Sequence, residues 1–242
     1  MKKTLLVIVI MALIIGLCAA AVSAKSDDGQ GPGQELSLQQ GGILVFSDVE
    51  GHWAAWAINK AQARGIFSGY GDGTFGPENL MTNAQVLVLL DRISDDDDED
   101  DDADDDDGVD SLRNVPTWAN SSVRKAVNKG YINRFHSDTQ CRRAFAFAVI
   151  AQELERAGKL RALPENYENP FKDVFNAEDL LAGLEDDLPL SADQLYNYMM
   201  LLHYNNIIKG SDGSLNANST IKRAEMAVLM NNVADLLDDL DD

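Results

Sequence analysis

Apolar residues recur at helical spacing twice within residues 46–93, on either side of a glycine-rich turn. The first predicted helix covers residues 53–63 and ends at Gly65, because glycine readily adopts the left-handed conformation at a helix C-terminus. The turn, GYGDGTFGP at residues 69–77, has the glycine, aspartate and proline content of a tight, ordered turn. The second helix is predicted to begin after Thr82, a typical N-cap residue. This stretch therefore predicts one helix–turn–helix unit.

The same pattern returns farther along the chain in a shorter form. Trp118 and Gly130 bracket a second apolar helical face, at the interval that separates Trp53 from Gly65 in the first unit. A following helix is predicted over residues 143–156. The connection between these two helices is shorter than in the first unit and lacks the glycine turn. The segment therefore predicts a second unit without that turn.

A third copy of the pattern opens at residues 171–174, where FKDV matches FSDV at residues 46–49. An insertion near residues 175–190 follows, and helices are then predicted over residues 192–204 and from residue 223 onward. A single helix pair buries too little apolar surface to be stable alone, so the three units are expected to pack on one another.

The N-terminal residues have the pattern of a secretory signal peptide. Residues 1–24 contain Lys2 and Lys3, then a long apolar run, then small residues typical of a cleavage site. An uncleaved membrane anchor is the alternative, because the apolar run is long. Residues 25–42 are rich in glycine, glutamine and serine, which predicts a flexible leader.

Residues 95–107 hold 12 acidic residues in 13 positions. Such a run repels itself and buries no apolar surface, so residues 95–108 are predicted to form a disordered linker. Its function is either that of a solvated linker or that of a weak Ca²⁺ site, since carboxylates are the ligands that this ion takes. Residues 237–242 form a second, shorter acidic tail. No other cofactor is predicted.

Composition excludes several function classes. The chain has 40 acidic and 20 basic residues and a formal net charge of −20, which argues against nucleic acid and anionic membranes as partners. Cys141 is the single cysteine beyond the predicted signal peptide, so no disulfide framework is expected, and it aligns with apolar residues. There is no Ser/His/Asp set, phosphate-binding loop or metal-binding histidine pair. These observations predict a binding protein rather than an enzyme.

The first unit resembles the S-layer homology (SLH) family. The resemblance is carried by FSDVEGHWAAWAI from Phe46, by GIFSGYGDGTFGP from Gly65, and by TNAQ from Thr82, where the family has T-R-A-E. It extends to three tandem units at residues 43–94, 109–160 and 161–236, of which the second and third are degenerate. The resemblance implies a mainly α fold, in which three helix–turn–helix repeats pack as a pseudo-threefold domain with the acidic run as a disordered insertion.

The resemblance also implies a function, which is non-covalent anchoring of a secreted protein to the bacterial cell envelope. The family binds secondary cell-wall polysaccharide, typically with pyruvylated sugars, in grooves between neighbouring units. An arginine fork suits a carboxylate, and a glycine turn brings backbone amides close to a ligand. No single unit has the complete set of candidate residues. The ligand-binding residues implied are Arg143, Arg223, Trp53, Trp118, Asp48, Asp173, Gly69, Tyr70 and Gly71.

Each candidate also has a purely structural interpretation. The two tryptophans either cover a sugar or pack in the core, as large aromatic residues at helix starts commonly do. The two aspartates either contact a ligand or cap the helices that follow them. The two arginines either contact a ligand or serve packing, although they head helices at the end where the helix dipole disfavours a cation.

Three functions therefore remain open. The first is wall anchoring through polysaccharide. The second is a degenerate SLH module for protein–protein contact or S-layer assembly without sugar binding, with other envelope or S-layer proteins as partners. The third is an acidic, Ca²⁺-buffering surface protein that acts through residues 95–107. The predicted location is secreted, at the cell surface or cell wall.

Overall fold

The computed structural model describes residues 46–94, 112–135, 137–174 and 176–238. Within these residues the chain is mainly α-helical and forms isolated β-bridges but no strand, which confirms the predicted fold class. The predicted signal peptide, the leader and the acidic run with its candidate Ca²⁺ site lie outside the described residues. The helices are α1 (Ala55–Ala63), α2 (Asn83–Ile93), α3 (Asn120–Asn128), α4 (Arg143–Arg156), α5 (Ala177–Leu181), α6 (Ala192–Tyr204) and α7 (Arg223–Asp238).

The helices form three pairs around a pseudo-threefold axis. The second helices of the pairs, α2, α4 and α7, contact one another at the centre. Each first helix packs against the second helix of a neighbouring pair, with α1 on α7, α3 on α2 and α6 on α4. The third unit therefore contacts the first, and the three units form a closed ring. Of the helices in the described ranges, none is long and apolar enough to cross a membrane.

A ring of three backbone hydrogen bonds marks the axis, just before the central helices begin. Met81 N donates to Ile221 O at 2.9 Å, Ile221 N donates to Cys141 O at 2.9 Å, and Cys141 N donates to Met81 O at 2.8 Å. All three side chains are buried. The prediction that Cys141 takes a buried position equivalent to Met81 and Ile221 is confirmed.

Capping boxes fix the starts of two helices. Thr82 and Gln85 form a capping box at the start of α2, which confirms Thr82 as the N-cap. Ser191 and Gln194 form the same arrangement at the start of α6. Gln194 stands where the first two units have a tryptophan, and it is used for capping instead.

Three boundaries differ from the sequence-based expectation. Helix α1 begins at Ala55 rather than at residue 53, because the His52 ring accepts the Ala54 amide at 3.1 Å and turns the chain there. Within the predicted insertion, residues 177–181 form α5, and buried leucines at the spacing i, i+4, i+8 pack the segment onto the core. Helix α7 continues to Asp238, whose carboxylate pairs with Arg64 at 3.1 Å, so the predicted acidic tail starts within this helix.

Native residues 25–242 are expected to resist thiol reagents until the chain unfolds. Burial raises the pKa of the Cys141 thiol, which disfavours the reactive thiolate, and the closed ring blocks access to the sulfur. The measurement is the rate of a disulfide-exchange reagent on native protein and on protein in urea. Rapid labelling of the native protein would mean that the ring opens in solution.

Candidate functional site

The site is centred on Arg223, the first residue of α7, whose side chain reaches the glycine turn of the first unit. Its Nε donates to Phe75 O at 2.8 Å and its Nη2 donates to Ser68 O at 2.5 Å. The guanidinium carbon lies 4.5 Å from the ring centre of Phe75, 5.0 Å from that of Phe67 and 5.1 Å from that of Tyr70. Aromatic faces attract a cation at these distances, so the side chain is held firmly between the two units.

Burial lowers the pKa of the Arg223 guanidinium. Tyr70 and, to a smaller extent, Asp48 oppose this shift, whereas the positive charge of Arg92 adds to it. An arginine titrates so far above neutral pH that the group stays a cation. The site therefore combines a fixed positive charge with poor solvation, and an anionic ligand group gains most from a charge in that state.

The glycine turn is shaped by Asp48 and by one close approach. The two Asp48 carboxylate oxygens accept the amides of Phe75 at 2.8 Å and of Gly76 at 2.7 Å. Gly69 lies against Phe46, and a Cβ at that position would overlap the Phe46 ring. The turn thus presents Tyr70 and the exposed Gly71 beside Arg223, at the edge of a groove between the third and first units.

A polar chain of residues borders this groove. Glu78 accepts hydrogen bonds from Lys222 at 2.5 Å and shares one with the His52 ring at 3.1 Å. Lys222 and, to a smaller extent, His52 lower the pKa of the exposed Glu78 carboxyl. The ring of Trp53 lies 5.5 Å from that of His52 and is 67% exposed. The Arg223 guanidinium, the glycine turn and the exposed Trp53 ring therefore border one groove between the third and first units.

The boundary between the second and third units has backbone hydrogen bonds equivalent to those around Arg223. Arg143 N donates to Ser219 O at 2.9 Å, as Arg223 N donates to Asn79 O at 2.8 Å. Asp173 accepts the amides of two turn residues at 2.8 and 2.7 Å, as Asp48 does in the first unit. The Arg143 side chain, however, turns away from the turn and pairs with Glu225.

The different directions of the two arginines follow from their neighbours. The positions of Phe67, Tyr70 and Phe75 in the first turn are occupied in the third unit by residues without an aromatic ring. These residues are Ile208, Ser211 and Leu215. A guanidinium gains no aromatic contact there, while Glu225 offers a charged partner that the first unit replaces with neutral Gln85.

The boundary between the first and second units has no arginine at this position. Asn83 is buried, and its Nδ2 lies 3.4 Å from Thr139 Oγ1. The Ala84 amide donates to Asp138 Oδ1 at 3.0 Å, where the other boundaries use a backbone carbonyl. At this boundary the arginine position is therefore taken by a buried, neutral amide.

The structural alternatives for two classes of candidate are wrong. Trp53 and Trp118 are not core residues, because they are 67% and 52% exposed. Asp48 and Asp173 do not cap helices, because α1 has no side-chain cap, α5 and α6 are capped by Asn176 and Ser191, and both aspartates bind turn amides. Contact with a ligand stays a prediction for all nine candidates.

Sequence reasoning missed the aromatic contacts and one further arginine. Phe67 and Phe75 hold the Arg223 guanidinium, and the signal was the aromatic content of the first turn. Arg142, next to Arg143, donates to the carbonyls of Leu180 and Ala182. No group of three or more His, Cys, Asp or Glu side chains in the described ranges is placed to hold a metal ion.

The exposure of the tryptophans predicts a spectroscopic property. Trp53, Trp56 and Trp118 are all more than half exposed, and they are the three tryptophans of the chain. The native fluorescence maximum is expected close to that of the unfolded protein, with efficient quenching by acrylamide. A blue-shifted native emission that acrylamide quenches poorly would contradict this prediction and would show that the tryptophans are buried.

Comparisons with known proteins support the family that the sequence predicts. The family model described as "S-layer homology domain" matches residues 45–87 and 186–227, which contain the first turn and Arg223. The "Cell surface glycoprotein 1" of Acetivibrio thermocellus is 29% identical over 168 residues, covering 65% of this chain and 7% of the relative. The "Cellulosome-anchoring protein" of the same organism is 30% identical over 132 residues, covering 50% of this chain and 28% of the relative.

A further relative is the "Outer membrane protein SlpA" of Deinococcus radiodurans, which is 33% identical over 96 residues, covering 39% of this chain and 7% of the relative. The chain thus spans less than a third of the length of each of these three relatives. The predicted cell-surface location agrees with two of these names, which state a cell surface and an outer membrane. The family predicted from the sequence is confirmed: the chain carries S-layer homology domains at residues 45–87 and 186–227.

Proposed function

We propose that this domain anchors its protein non-covalently to the cell envelope by binding an anionic cell-wall polysaccharide in the groove around Arg223. The observation that supports the proposal is the Arg223 guanidinium, which is partly buried between two units and stacked on aromatic rings. Two of its nitrogens are committed to backbone carbonyls, which fixes the plane of the group. Its Nη1 donates to no acceptor within the described ranges, so it is available to a ligand.

A carboxylate is the ligand group that fits this arrangement. Guanidinium groups bind carboxylates with strong, directional hydrogen bonds. A sugar bearing a pyruvate ketal presents such a carboxylate next to an apolar ring face, and the exposed Trp53 side chain covers such faces. Tyr70 and the exposed backbone at Gly71 stand ready to contact the sugar hydroxyls. The names of two relatives, a cell-surface and an anchoring protein, support the same role.

The proposal predicts one ligand for each chain. The boundary at Asn83 has no cation, and the boundary at Arg143 has its guanidinium paired with Glu225. The groove at Arg223 is therefore the one in the described structure with an arginine, an ordered turn and an exposed tryptophan together.

The test is co-sedimentation of residues 25–242 with purified cell-wall sacculi. The comparison is between intact sacculi and sacculi stripped of secondary polymer by mild acid. Pelleting with the intact sacculi alone is the expected result. If the protein does not pellet with either preparation, polysaccharide anchoring is wrong, and protein–protein contact becomes the function to test.

A further inference from the structure

Trp56 is a second exposed tryptophan of the first unit, and it is not among the nine candidate residues. We infer that its ring is a separate binding surface for a neutral sugar, the one next to the charged sugar along the polysaccharide. This inference rests on the proposed function, because the charged sugar in the Arg223 groove determines where its neighbour lies. It extends that function from recognition of one sugar to recognition of two.

The Trp56 ring is fixed from one side. Lys60 Nζ lies 5.0 Å from the ring centre, and it donates to both carboxylate oxygens of Asp235, on α7, at 2.7 and 2.8 Å. The cation is therefore held against one face of the indole by an ion pair to another unit. The side chain is nevertheless 71% exposed, which leaves the other face to solvent. A ring that is ordered before the ligand arrives loses less conformational entropy on binding.

Trp56 continues a row of side chains that begins at the groove. Trp53 borders the groove, and Trp56 and Lys60 follow at i+3 and i+7, the spacing that places side chains on the same side of a helix. Lys60 meets Asp235 near the C-terminal end of α7, whereas Arg223 is the first residue of that helix, so the row leads away from the groove. The two indoles are separated by about 5 Å along the helix axis, which is close to the length of one hexose in a polysaccharide.

An aromatic ring at this position occurs only in the unit that carries the glycine turn beside Arg223. The equivalent residues of the second and third units are Ser121 and Asn197. All three positions are exposed, so packing of the fold does not require an indole there. In the described structure the ring stands beside the boundary at which an arginine faces the glycine turn. An exposed aromatic side chain in that place points to a ligand rather than to a structural role.

A neutral sugar is the ligand that fits this surface. The open indole face is apolar and flat, and it covers the C–H face of a pyranose ring. Lys60 and Arg64 are balanced by Asp235 and Asp238, with which they form ion pairs, so a second anionic group gains little beside Trp56. An anionic membrane surface fits poorly, because the chain carries a formal net charge of −20.

The test compares three probes in calorimetric titrations of residues 25–242. The first probe is a methyl hexoside that carries a pyruvate ketal, and the other two are disaccharides in which a neutral N-acetylhexosamine is joined to either side of that hexose. We expect one disaccharide to bind the wild type roughly tenfold more tightly than the monosaccharide, which is the order that an aromatic contact contributes. Trp56→Ala should remove this gain and leave the affinity for the monosaccharide unchanged.

Two further variants test whether the contact is direct. Trp56→Phe keeps a smaller aromatic face and should retain part of the gain that Trp56→Ala loses. The double variant Trp53→Phe/Trp118→Phe leaves Trp56 as the single tryptophan of the chain. Its emission should shift to the blue, and acrylamide should quench it less, when the preferred disaccharide is added. The monosaccharide should leave this emission unchanged.

The outcomes separate this inference from the proposed function. Equal affinities of the wild type for the three probes, or a disaccharide gain that Trp56→Ala retains, overturn the second sugar surface and leave the Arg223 groove standing. The same follows if the Trp56 emission responds equally to the monosaccharide, or if it shifts with protein concentration alone, which would show that a second copy of the chain covers the ring. Binding of no probe by the wild type overturns the proposed function, and the inference with it.

Discussion

Replacing Arg223 with alanine is expected to abolish pelleting with intact sacculi. The guanidinium is the fixed cation of the groove, and its stacking on Phe75 keeps it in place before the ligand arrives. Removing one partner of a desolvated, hydrogen-bonded charge pair costs about 2–5 kcal/mol, which corresponds to a ~30-fold or larger loss of affinity. The measurement is a binding isotherm of residues 25–242 on sacculi, with the folded state checked by circular dichroism.

Arg143→Ala is the matched control, because Arg143 occupies the equivalent position of the second unit and pairs with Glu225 instead. It should leave binding nearly unchanged. Arg223→Lys keeps the positive charge but loses the planar fork, so it should bind far more weakly than the wild type. Equal losses from Arg143→Ala and Arg223→Ala would contradict the assignment of the site to a single boundary.

Replacing Phe75 with alanine is expected to lower both stability and binding. The Phe75 side chain is fully buried, and its ring contacts Phe46 at 5.4 Å and Phe67 at 5.5 Å between centroids. Truncating a buried phenylalanine costs about 3–5 kcal/mol, because apolar contacts are lost and a cavity remains. The Arg223 guanidinium also loses the closest of its three aromatic contacts. The measurements are the urea midpoint and the isotherm on sacculi.

Leu215→Ala separates the two effects. Leu215 is the equivalent residue of the third turn and is also buried, so its truncation should lower the urea midpoint without reaching Arg223. Phe75→Leu places the third unit's side chain in the first turn and should weaken binding more than it weakens folding. Normal binding by Phe75→Leu would show that the aromatic contacts do not hold the arginine.

The candidate site is assembled from parts that lie far apart in the chain. Arg223 comes from the last helix, whereas Asp48, Gly69 and Tyr70 come from the first unit. No single unit therefore contains an arginine, an aspartate, a tryptophan and the glycine turn together. The boundary between the third and first units brings all four together. Lys60 and Arg64 of the first unit also pair with Asp235 of the third unit, at 2.7 and 2.6 Å. These ion pairs lie at the same boundary as the candidate site.

The sequence by itself determined the elements and the family. Helical periodicity, Thr82 and the glycine turn predicted the first unit, and the repeated spacing predicted the other two. These signals are local, because a helix face, an N-cap and a tight turn depend on residues within a few positions of one another. For the same reason the spacing of Leu180, Leu184 and Leu188 is a local helical signal within the insertion.

Only the tertiary structure decided which arginine faces a turn and which does not. Arg143 and Arg223 have equivalent positions in the repeats, and no local pattern distinguishes them. The choice is made by residues from the neighbouring unit, namely Phe67, Tyr70 and Phe75 around one guanidinium and Glu225 beside the other. Cation–π contacts and ion pairs act between side chains that meet only after the ring of units has closed.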